Sequence, residues 1–378
     1  MRLNLRQNLA IALARWQVRR QPRPDPAELG TPRVGRILAV SCTAIGDALM
    51  STPALRSLRL GYPQARIELL VHPAYAPLFR TNPDINGIRL YDNRWQGFWR
   101  TVRELRRQRY DLVAILHGNE PQATPLAALS GARWRFKLPN AFAHRDLLSN
   151  AEPVRTWDDF THGIDQRLAV ATLAGGAPTE RAMTLIVDAE TQEALDAALA
   201  GDFGIAPGTP LLAFQPGAST ASRRWRPERY AELGRRLLAH DPALKIVVTG
   251  SPAELPLVDA VAQGIGDPAR VIVTAGRLPL AQLPALLRRC RALVTPDTGI
   301  MHMAIAVGTP TVSLFAAAHW ERSGPTVALH RHIVIQKWRT CDPCLGKRCP
   351  YAAPLCMDNI GVDEVYDACL RHLEAPAS

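Results

Sequence analysis

The chain lacks any apolar run long enough to cross a membrane. Its longest N-terminal apolar run covers residues 9–14, ends at Arg15 and is followed by no small-residue cleavage site. We therefore expect neither a membrane-spanning helix nor a signal peptide, and we expect a cytoplasmic location. Aromatic residues make up only 6% of the chain and form no basic stripe, which disfavours a nucleic-acid platform.

Two common nucleotide-binding motifs are also missing. No G-x-G-x-x-G follows the first predicted strand, where residues 42–47 read CTAIGD. No G-x-x-x-x-G-K-[ST] loop occurs anywhere in the chain. These absences disfavour a hydride-transfer enzyme and a P-loop NTPase.

The length and the net charge indicate the number of domains and the charge of a binding partner. With 378 residues the chain exceeds the usual size of one domain, so we expect two domains. Apolar residues make up 47%, enough for two buried cores, and the net charge of +11 favours an anionic partner.

Short apolar strands alternate with helices in both halves of the chain, which predicts parallel sheets with right-handed crossovers. Helices are predicted at 47–60, 95–108, 165–174 and 226–240, and residues 188–208 are predicted to connect the halves. The predicted strands are Arg36–Ser41, Arg66–Val71, 111–116, Leu211–Phe214, 245–249, Val271–Val273, 292–295 and 311–314. Two such domains facing across a cleft would bind ligands at the carboxyl ends of their strands.

Gly46 and Asp47 follow the first predicted strand. A carboxylate at this sheet edge can serve as a general base. Asp is equally common as a helix N-cap, and the sequence does not separate the two roles.

A second motif, QPGASTASRRW at residues 215–225, directly follows a predicted strand. Gly217, Ser219 and Thr220 suit an anion-binding loop, and Arg223 and Arg224 can neutralise a diphosphate. The alternative is a solvated basic loop.

A third motif covers residues 294–315 and is typical of strand, turn, helix and strand. Its turn, 297–299, leaves backbone N–H groups at a helix N-terminus, where a phosphate can bind. Asp297 would repel that phosphate but can accept hydrogen bonds from sugar hydroxyls, and Thr298 and Gly299 complete the turn. Together these features indicate a nucleotide-sugar site, whereas an ordinary turn with an Asp cap is the alternative. His302, one turn into the helix, is a further candidate, although a lone helical histidine is more often structural.

The sequence also contains two features away from these motifs. The spacing Cys341-x2-Cys344-x4-Cys349-x6-Cys356 resembles that of a structural metal site, with reduced, unliganded thiols as the alternative. Residues 1–24 predict a basic amphipathic helix with Leu and Trp side chains on one face. That helix could lie on an anionic membrane, or the segment could be a frayed terminus.

Four blocks of the sequence resemble glycosyltransferase family 9, the bacterial ADP-heptose–lipopolysaccharide heptosyltransferases. Their order and spacing match the family over residues 36–370. The blocks are ILAVSCTAIGDALMSTPALRSLRLGYPQARIELLV at 37–71, PGASTASRRWRPERYAEL at 216–233, VVTGSPAE at 247–254 and PDTGIMHMAIAVGTPTVSLF at 296–315. The resemblance implies a GT-B fold, an α/β architecture of two Rossmann-like domains, and inverting transfer that requires no metal.

The resemblance also assigns roles and domains. Asp47 matches the family's proposed base, and Asp297 its donor-sugar carboxylate. The other matching donor residues are Ser219 and Gly299 in phosphate turns, Arg223 in place of a family Lys, and Glu254 near a ribose-binding carboxylate. The implied domains are a basic segment at 1–35, an acceptor domain at 36–187, the connection at 188–208, a nucleotide-sugar domain at 209–355 and a C-terminal helix at 356–378.

These inferences predict a glycosyltransferase that moves heptose, or a related sugar, from ADP-heptose to a hydroxyl of a lipopolysaccharide core or another cell-surface glycan. The predicted partners are the nucleotide-sugar, a glycan or glycolipid acceptor and the anionic inner membrane, with no nucleic acid and no catalytic cofactor. A GT-B transferase with another donor, or a non-catalytic binding scaffold, are the alternatives.

Overall fold

The structure, a computed structural model, describes residues 4–22, 24–316, 318–338, 340–341, 349 and 354–374. The chain divides into two compact units, Met1–Thr184 and Leu185–Ser378, which we call unit 1 and unit 2. Among the described residues, no helix combines the length and the apolar character that crossing a membrane requires.

Unit 1 is built on a parallel sheet with strand order β3-β2-β1-β4-β5 among its described residues. The strands are β1 (Arg36–Ser41), β2 (Arg66–Val71), β3 (Gly87–Leu90), β4 (Leu112–His117) and β5 (Trp134–Lys137). The helices are α1 (Leu5–Arg20), α2 (Ile45–Met50), α3 (Thr52–Gly61), α4 (Trp95–Gln108), α5 (Ala123–Leu129) and α6 (Gly163–Leu173). Strands β1 and β2 are buried after their first residue, as expected of parallel strands covered on both faces.

The single helix predicted over 47–60 is wrong, because the structure ends α2 at Met50 and starts α3 at Thr52. Pro53 lies in the first turn of α3, where the backbone N–H that proline lacks would have no partner within the helix. In the interior of a longer helix the same proline would remove a backbone hydrogen bond, so α2 does not continue through it. The Ser51 hydroxyl donates to the Asp47 carbonyl (2.8 Å) at this junction. The break leaves α2 as a short helix directly after β1.

Unit 2 carries a second parallel sheet, with order β11-β10-β9-β6-β7-β8 among the described residues. The strands are β6 (Leu211–Phe214), β7 (Lys245–Val248), β8 (Val271–Val273), β9 (Cys290–Pro296), β10 (Thr311–Phe315) and β11 (His332–Gln336). The helices are α7 (Ala189–Gly201), α8 (Pro227–His240), α9 (Leu255–Ile265), α10 (Leu283–Arg289), α11 (Gly299–Ala306), α12 (Trp320–Ser323), α13 (Leu355–Asp358) and α14 (Val362–Leu373). Helix α7 occupies most of the stretch predicted as a connection.

The strand order of each sheet reverses at one place. In unit 1 the reversal falls between β1 and β4, and in unit 2 between β6 and β9. In open α/β sheets, ligands bind outside the carboxyl ends of the strands at such a reversal. Asp47 follows β1, and His117 ends β4 as the register partner of Ser41. In unit 2 the loop at 215–225 follows β6 and Asp297 follows β9, so each unit has polar side chains at its reversal.

Candidate active site

Asp47 is the third residue of α2 and is held by two side chains. Arg167 Nη2 donates to its Oδ1 (2.9 Å), and Thr43 Oγ1 donates to its Oδ2 (2.8 Å). The helix N-cap is Ala44, so the alternative of Asp47 as a cap is wrong. About a quarter of the Asp47 side chain (24%) is exposed, which leaves the carboxylate within reach of a ligand.

Arg167 lies on α6 and is almost completely buried, with 1% of its side chain exposed. Its guanidinium also donates to Ser51 Oγ (3.2 Å) and to the Gly163 carbonyl (2.6 Å). Burial lowers the pKa of Arg167 and the charge of Asp47 raises it. An arginine remains protonated in proteins, so a fixed cation faces one oxygen of the Asp47 carboxylate and favours its ionised form.

His117 joins the same cluster through Thr43. Burial and, second, the nearby charge of Arg167 lower the pKa of His117 to about 4, so the ring is neutral at pH 7. Because the Thr43 hydroxyl donates its proton to Asp47, His117 Nδ1 donates to Thr43 Oγ1 (2.6 Å). This assigns the Nδ1–H tautomer. The indole of Trp157, 45% exposed, lies with its ring centroid 6.5 Å from that of His117.

In unit 2, Arg223 and Asp297 form an ion pair. Arg223 Nη1 lies 3.1 Å from Asp297 Oδ2 and also donates to the Asp297 carbonyl (3.4 Å). Ser323 Oγ donates to the other carboxylate oxygen of Asp297 (3.4 Å). Arg223 is one-third exposed (33%), so its guanidinium is accessible to an anion beside a nearly buried carboxylate.

Glu254 lies against the loop that follows β6. Its Oε2 accepts hydrogen bonds from the backbone N–H (2.8 Å) and the hydroxyl (2.9 Å) of Ser251. A Cβ atom on Gly217 would collide with the Glu254 carboxylate, so this close approach depends on glycine. The structure therefore places the predicted anion loop and the predicted ribose carboxylate side by side.

The remaining predicted donor residues occupy different surroundings. Arg224 donates to the Ala218 carbonyl (3.3 and 3.1 Å) and so closes its own loop, whereas Ser219 is exposed and Thr220 is half-buried. Thr298 is the N-cap of α11, and its hydroxyl accepts from the Met301 N–H (3.5 Å), so α11 begins at Gly299 as the turn predicted. His302 is buried within α11.

The predicted metal site lies partly outside the described residues, since Cys344 is not among them. Cys341 and Cys349 are half-buried, and Cys356 is buried in the unit 2 core. Within the part of the chain that the structure describes, no three His, Cys, Asp or Glu side chains are grouped as metal ligands would be. The metal site stays a prediction.

Sequence reasoning missed Arg167, His117, Thr43 and Ser323. A signal existed for Arg167, because it lies one turn after Ile164 and one turn before Ala171 on the buried face of α6. Its position among apolar residues marks it as a buried cation that needs a partner. His117 carried no such signal, because the sequence does not reveal that β4 is the neighbour of β1.

Two Rossmann-like units, each with a polar cluster at the reversal of its sheet, are the architecture of a GT-B glycosyltransferase. The sequence profile of glycosyltransferase family 9 (heptosyltransferase) matches residues 98–353. The chain belongs to this family and is a glycosyltransferase.

Similar proteins share most of the chain. Lipopolysaccharide heptosyltransferase 1 of Pseudomonas aeruginosa is 27% identical over 344 residues, covering 84% of this chain and 88% of that protein. The family 9 glycosyltransferase of Veillonella parvula superposes with a TM-score of 0.75 at 23% identity, over 90% of this chain and 98% of the other. The Escherichia coli ADP-heptose LPS heptosyltransferase II gives a TM-score of 0.75 at 23% identity, over 89% and 98%. These likenesses confirm the predicted GT-B fold class.

Proposed function

We propose that this protein transfers heptose from ADP-heptose to a hydroxyl of a lipopolysaccharide core, with inversion at the anomeric carbon. The heptosyltransferase family and the names of its relatives support the sugar, the donor and the acceptor class. The observation that carries the mechanism is Asp47, a partly exposed carboxylate fixed by a buried arginine at the reversal of the unit 1 sheet.

In this mechanism the Asp47 carboxylate accepts the proton of the acceptor hydroxyl. The oxygen then attacks the anomeric carbon of the donor as the bond from that carbon to the diphosphate oxygen breaks. The bonding electron pair leaves with ADP, and attack from the opposite face inverts the configuration. Arg167 and Thr43 orient the carboxylate and do not themselves take part in proton transfer.

In unit 2, positively charged groups and backbone N–H groups are proposed to bind the diphosphate, and carboxylates to bind the sugar and ribose hydroxyls. Arg223 and the N–H groups at the start of α11 would bind the diphosphate, where negative charge develops as ADP leaves. Asp297 would accept hydrogen bonds from the sugar hydroxyls and Glu254 from the ribose. Because Arg223 pairs with Asp297 in the described structure, donor binding exchanges part of that ion pair for contacts with the diphosphate. Protein cations then supply the charge stabilisation, so we propose that transfer requires no metal ion.

The test of the base is Asp47→Asn, which keeps the shape of the side chain but removes the proton acceptor. General base catalysis contributes about 10²–10⁴-fold in rate, so we expect kcat to fall by that amount while ADP affinity is unchanged. The matched control is Asp259→Asn, an exposed carboxylate on α9. Near-normal turnover of a folded Asp47→Asn protein would overturn the assignment. NMR of the anomeric proton in the product, with ADP-heptose as donor, tests inversion directly.

The donor contacts have a separate test by calorimetry. Arg223→Ala should weaken binding of both ADP and a nucleotide-sugar, because both carry the diphosphate. Asp297→Ala should weaken binding of the nucleotide-sugar more than that of ADP. Equal losses for both ligands in both variants would show that the roles are divided wrongly. Thermal-shift screening of ADP-, GDP- and UDP-sugars distinguishes the alternative donors, and turnover in EDTA tests the need for a metal.

A further inference from the structure

Helix α1 is apolar on two opposite faces. Ala10, Ile11 and Ala14 are buried, and the two alanines belong to the core cluster of unit 1 together with side chains of α5. Gln17 Nε2 donates to the Ala128 carbonyl (2.9 Å) and Arg15 pairs with Asp146 (2.8 Å), so the helix is held against unit 1 from Ala10 to Gln17. The alternative interpretation of this segment as a frayed terminus is therefore wrong for Leu5–Arg20.

The opposite face carries large apolar side chains that remain exposed. Leu5 is 86% exposed, Leu9 64%, Leu13 40% and Trp16 52%. At 100° per residue these four positions fall on one stripe, on the side of the helix away from Ala10 and Ala14. Two alanines and Ile11 thus attach α1 to unit 1, while four larger apolar residues point to solvent.

Helix α4 lies beside α1 and adds further arginines to this side of unit 1. Both helices pack on α5, and Arg106 Nη1 of α4 donates to Gln17 Oε1 of α1 (2.7 Å). Arg100, Arg103 and Arg107 of α4 are exposed, as is its Trp99. Arg6, Arg19 and Arg20 are the exposed cations of α1, and the Arg20 guanidinium lies 4.3 Å from the ring centroid of Trp16.

We propose that α1 and α4 form a docking surface for an anionic lipid bilayer. Exposed Leu and Trp side chains bordered by arginines are the composition of helices that lie in the headgroup region. The Leu5–Leu9–Leu13–Trp16 stripe would enter the boundary between headgroups and acyl chains, and the arginines would bind lipid phosphates. Neither helix contributes a residue to the transfer site, so the inference stands apart from the proposed chemistry.

Charge distinguishes a bilayer from a second copy of the chain. Helix α1 contains no acidic residue, so two copies meeting through this stripe would place arginines against arginines. An anionic bilayer instead supplies the opposite charge for every exposed arginine of both helices. Each basic residue near such a surface strengthens binding by about fivefold, so several together give salt-sensitive, reversible attachment.

The test uses the full chain and vesicles of phosphatidylglycerol and phosphatidylcholine, with pure phosphatidylcholine as the neutral comparison. Arg19→Gln with Arg20→Gln, and separately Arg103→Gln with Arg107→Gln, should each weaken cosedimentation by about 25-fold at low salt. Leu9→Gln with Trp16→Gln should weaken the binding that persists at high salt. The matched control is Arg288→Gln with Arg371→Gln, which removes the same charge from exposed positions of unit 2.

All substituted positions in α1 and α4 are exposed, so we expect each variant to fold. Circular dichroism and thermal unfolding check this. Binding that requires anionic lipid and is lost in both arginine pairs supports the surface. Equal vesicle binding by all variants and the control would overturn it. A concentration-dependent dimer in sedimentation velocity that dissociates on Leu9→Gln with Trp16→Gln, without vesicle binding, would assign the stripe to a second copy instead.

Discussion

The geometry at Asp47 shows how one side chain acquires a defined orientation at the end of a strand. Arg167 and Thr43 each bind a different oxygen of the carboxylate, so its rotation is restrained from two sides. Arg167 is anchored in turn by Ser51 and Gly163. The charged pair costs desolvation, which suggests that its value lies in orientation and ionisation more than in stability.

We expect Arg167→Gln to affect stability and catalysis together. Breaking a fully buried ion pair costs about 3–5 kcal/mol, and we expect a smaller loss here because the Asp47 carboxylate that remains is partly exposed. The acid limb of the kcat profile should also move to higher pH, because the carboxylate loses the cation that favours its ionised form. Thermal unfolding and pH–rate profiles measure the two effects.

Arg167→Lys separates charge from geometry. Lysine keeps the positive charge but not the bonds to Ser51 and Gly163, so the pH profile should recover more than the maximal kcat does. A normal pH profile in a folded Arg167→Gln protein would leave Arg167 with a structural role alone.

His117 predicts a pH dependence of stability. Its pKa in the folded protein is about 4, below the ordinary value of about 6.5, so the unfolded chain binds its proton first as the pH falls. The contribution is therefore complete above pH 6.5 and is lost between pH 6.5 and 4. In the unmodified protein, this group lowers the free energy of unfolding by about 2 kcal/mol between pH 7 and pH 5. We expect the decrease to disappear in His117→Gln.

Urea unfolding at a series of pH values measures this difference. The comparison is His332→Gln, because burial also lowers the pKa of His332 to about 4 outside the Asp47 cluster. Both variants should flatten the same window, and only His117→Gln should alter turnover. An unchanged slope for His117→Gln would show that the pKa of His117 is not lowered in the folded protein.

At the residue level, the sequence pointed to the two candidate carboxylates but not to their partners. Asp47 and Asp297 were found because each follows an apolar strand, where side chains meet ligands. Arg167 and Ser323 were missed because side-chain partners distant along the chain depend on packing. The sequence also could not predict the ion pair between Arg223 and Asp297, because the two residues lie 74 positions apart.

Among the elements, the loop after β6 depends on the C-terminal helices for its anchor. Trp225 closes the loop, is fully buried, and its Nε1 donates to the Ile360 carbonyl (3.0 Å) between α13 and α14. Arg226 forms an ion pair with Asp358 beside it. The C-terminal segment thus holds one end of the loop that is proposed to bind the donor phosphates.

We expect Trp225→Phe to lower both stability and ADP affinity. The change removes a buried hydrogen bond and part of a buried ring, at a cost of about 2 kcal/mol, and it loosens the end of the loop. Trp134→Phe, at a buried position in β5 of unit 1, is the control that should lower stability without changing ADP affinity. Calorimetry with ADP decides, and equal ADP affinity in both variants would contradict the anchoring role.

The predicted strands were confirmed where they are apolar and buried, whereas β3, β5 and β11 were not predicted. Residues of β1, β2, β6 and β8 follow the predicted bounds. Strand β5 reads WRFK, with Arg135 and Lys137 buried, so its sequence lacks the apolar pattern. Strand β3 has four partly exposed or exposed residues at the sheet edge. Strand order, which places both polar clusters, depends on pairing between distant segments and could not be predicted.

At the scale of the whole molecule, the two units repeat one design with different charges at the reversal of the sheet. Unit 1 presents a carboxylate restrained by a buried arginine, suited to taking a proton. Unit 2 presents an accessible arginine and a helix N-terminus, suited to an anion. Each sheet has one reversal, and the different chemistry at the two reversals comes from the residues that follow the strands.

This division predicts where each ligand protects the backbone from hydrogen exchange. ADP at about 100 times its Kd stabilises its binding site by about 2.7 kcal/mol, which slows local opening there by about 100-fold. We expect that protection in residues 217–225, 250–254 and 297–302 of unit 2. A deacylated, heptose-free core acceptor should instead protect residues 43–47, 117 and 157–167 of unit 1.

Hydrogen exchange measured by mass spectrometry on the full chain, with GDP as the nucleotide control, makes the comparison. Protection by ADP confined to unit 1 would reverse the assignment of donor and acceptor, because the Arg223 loop would then have no part in binding the nucleotide.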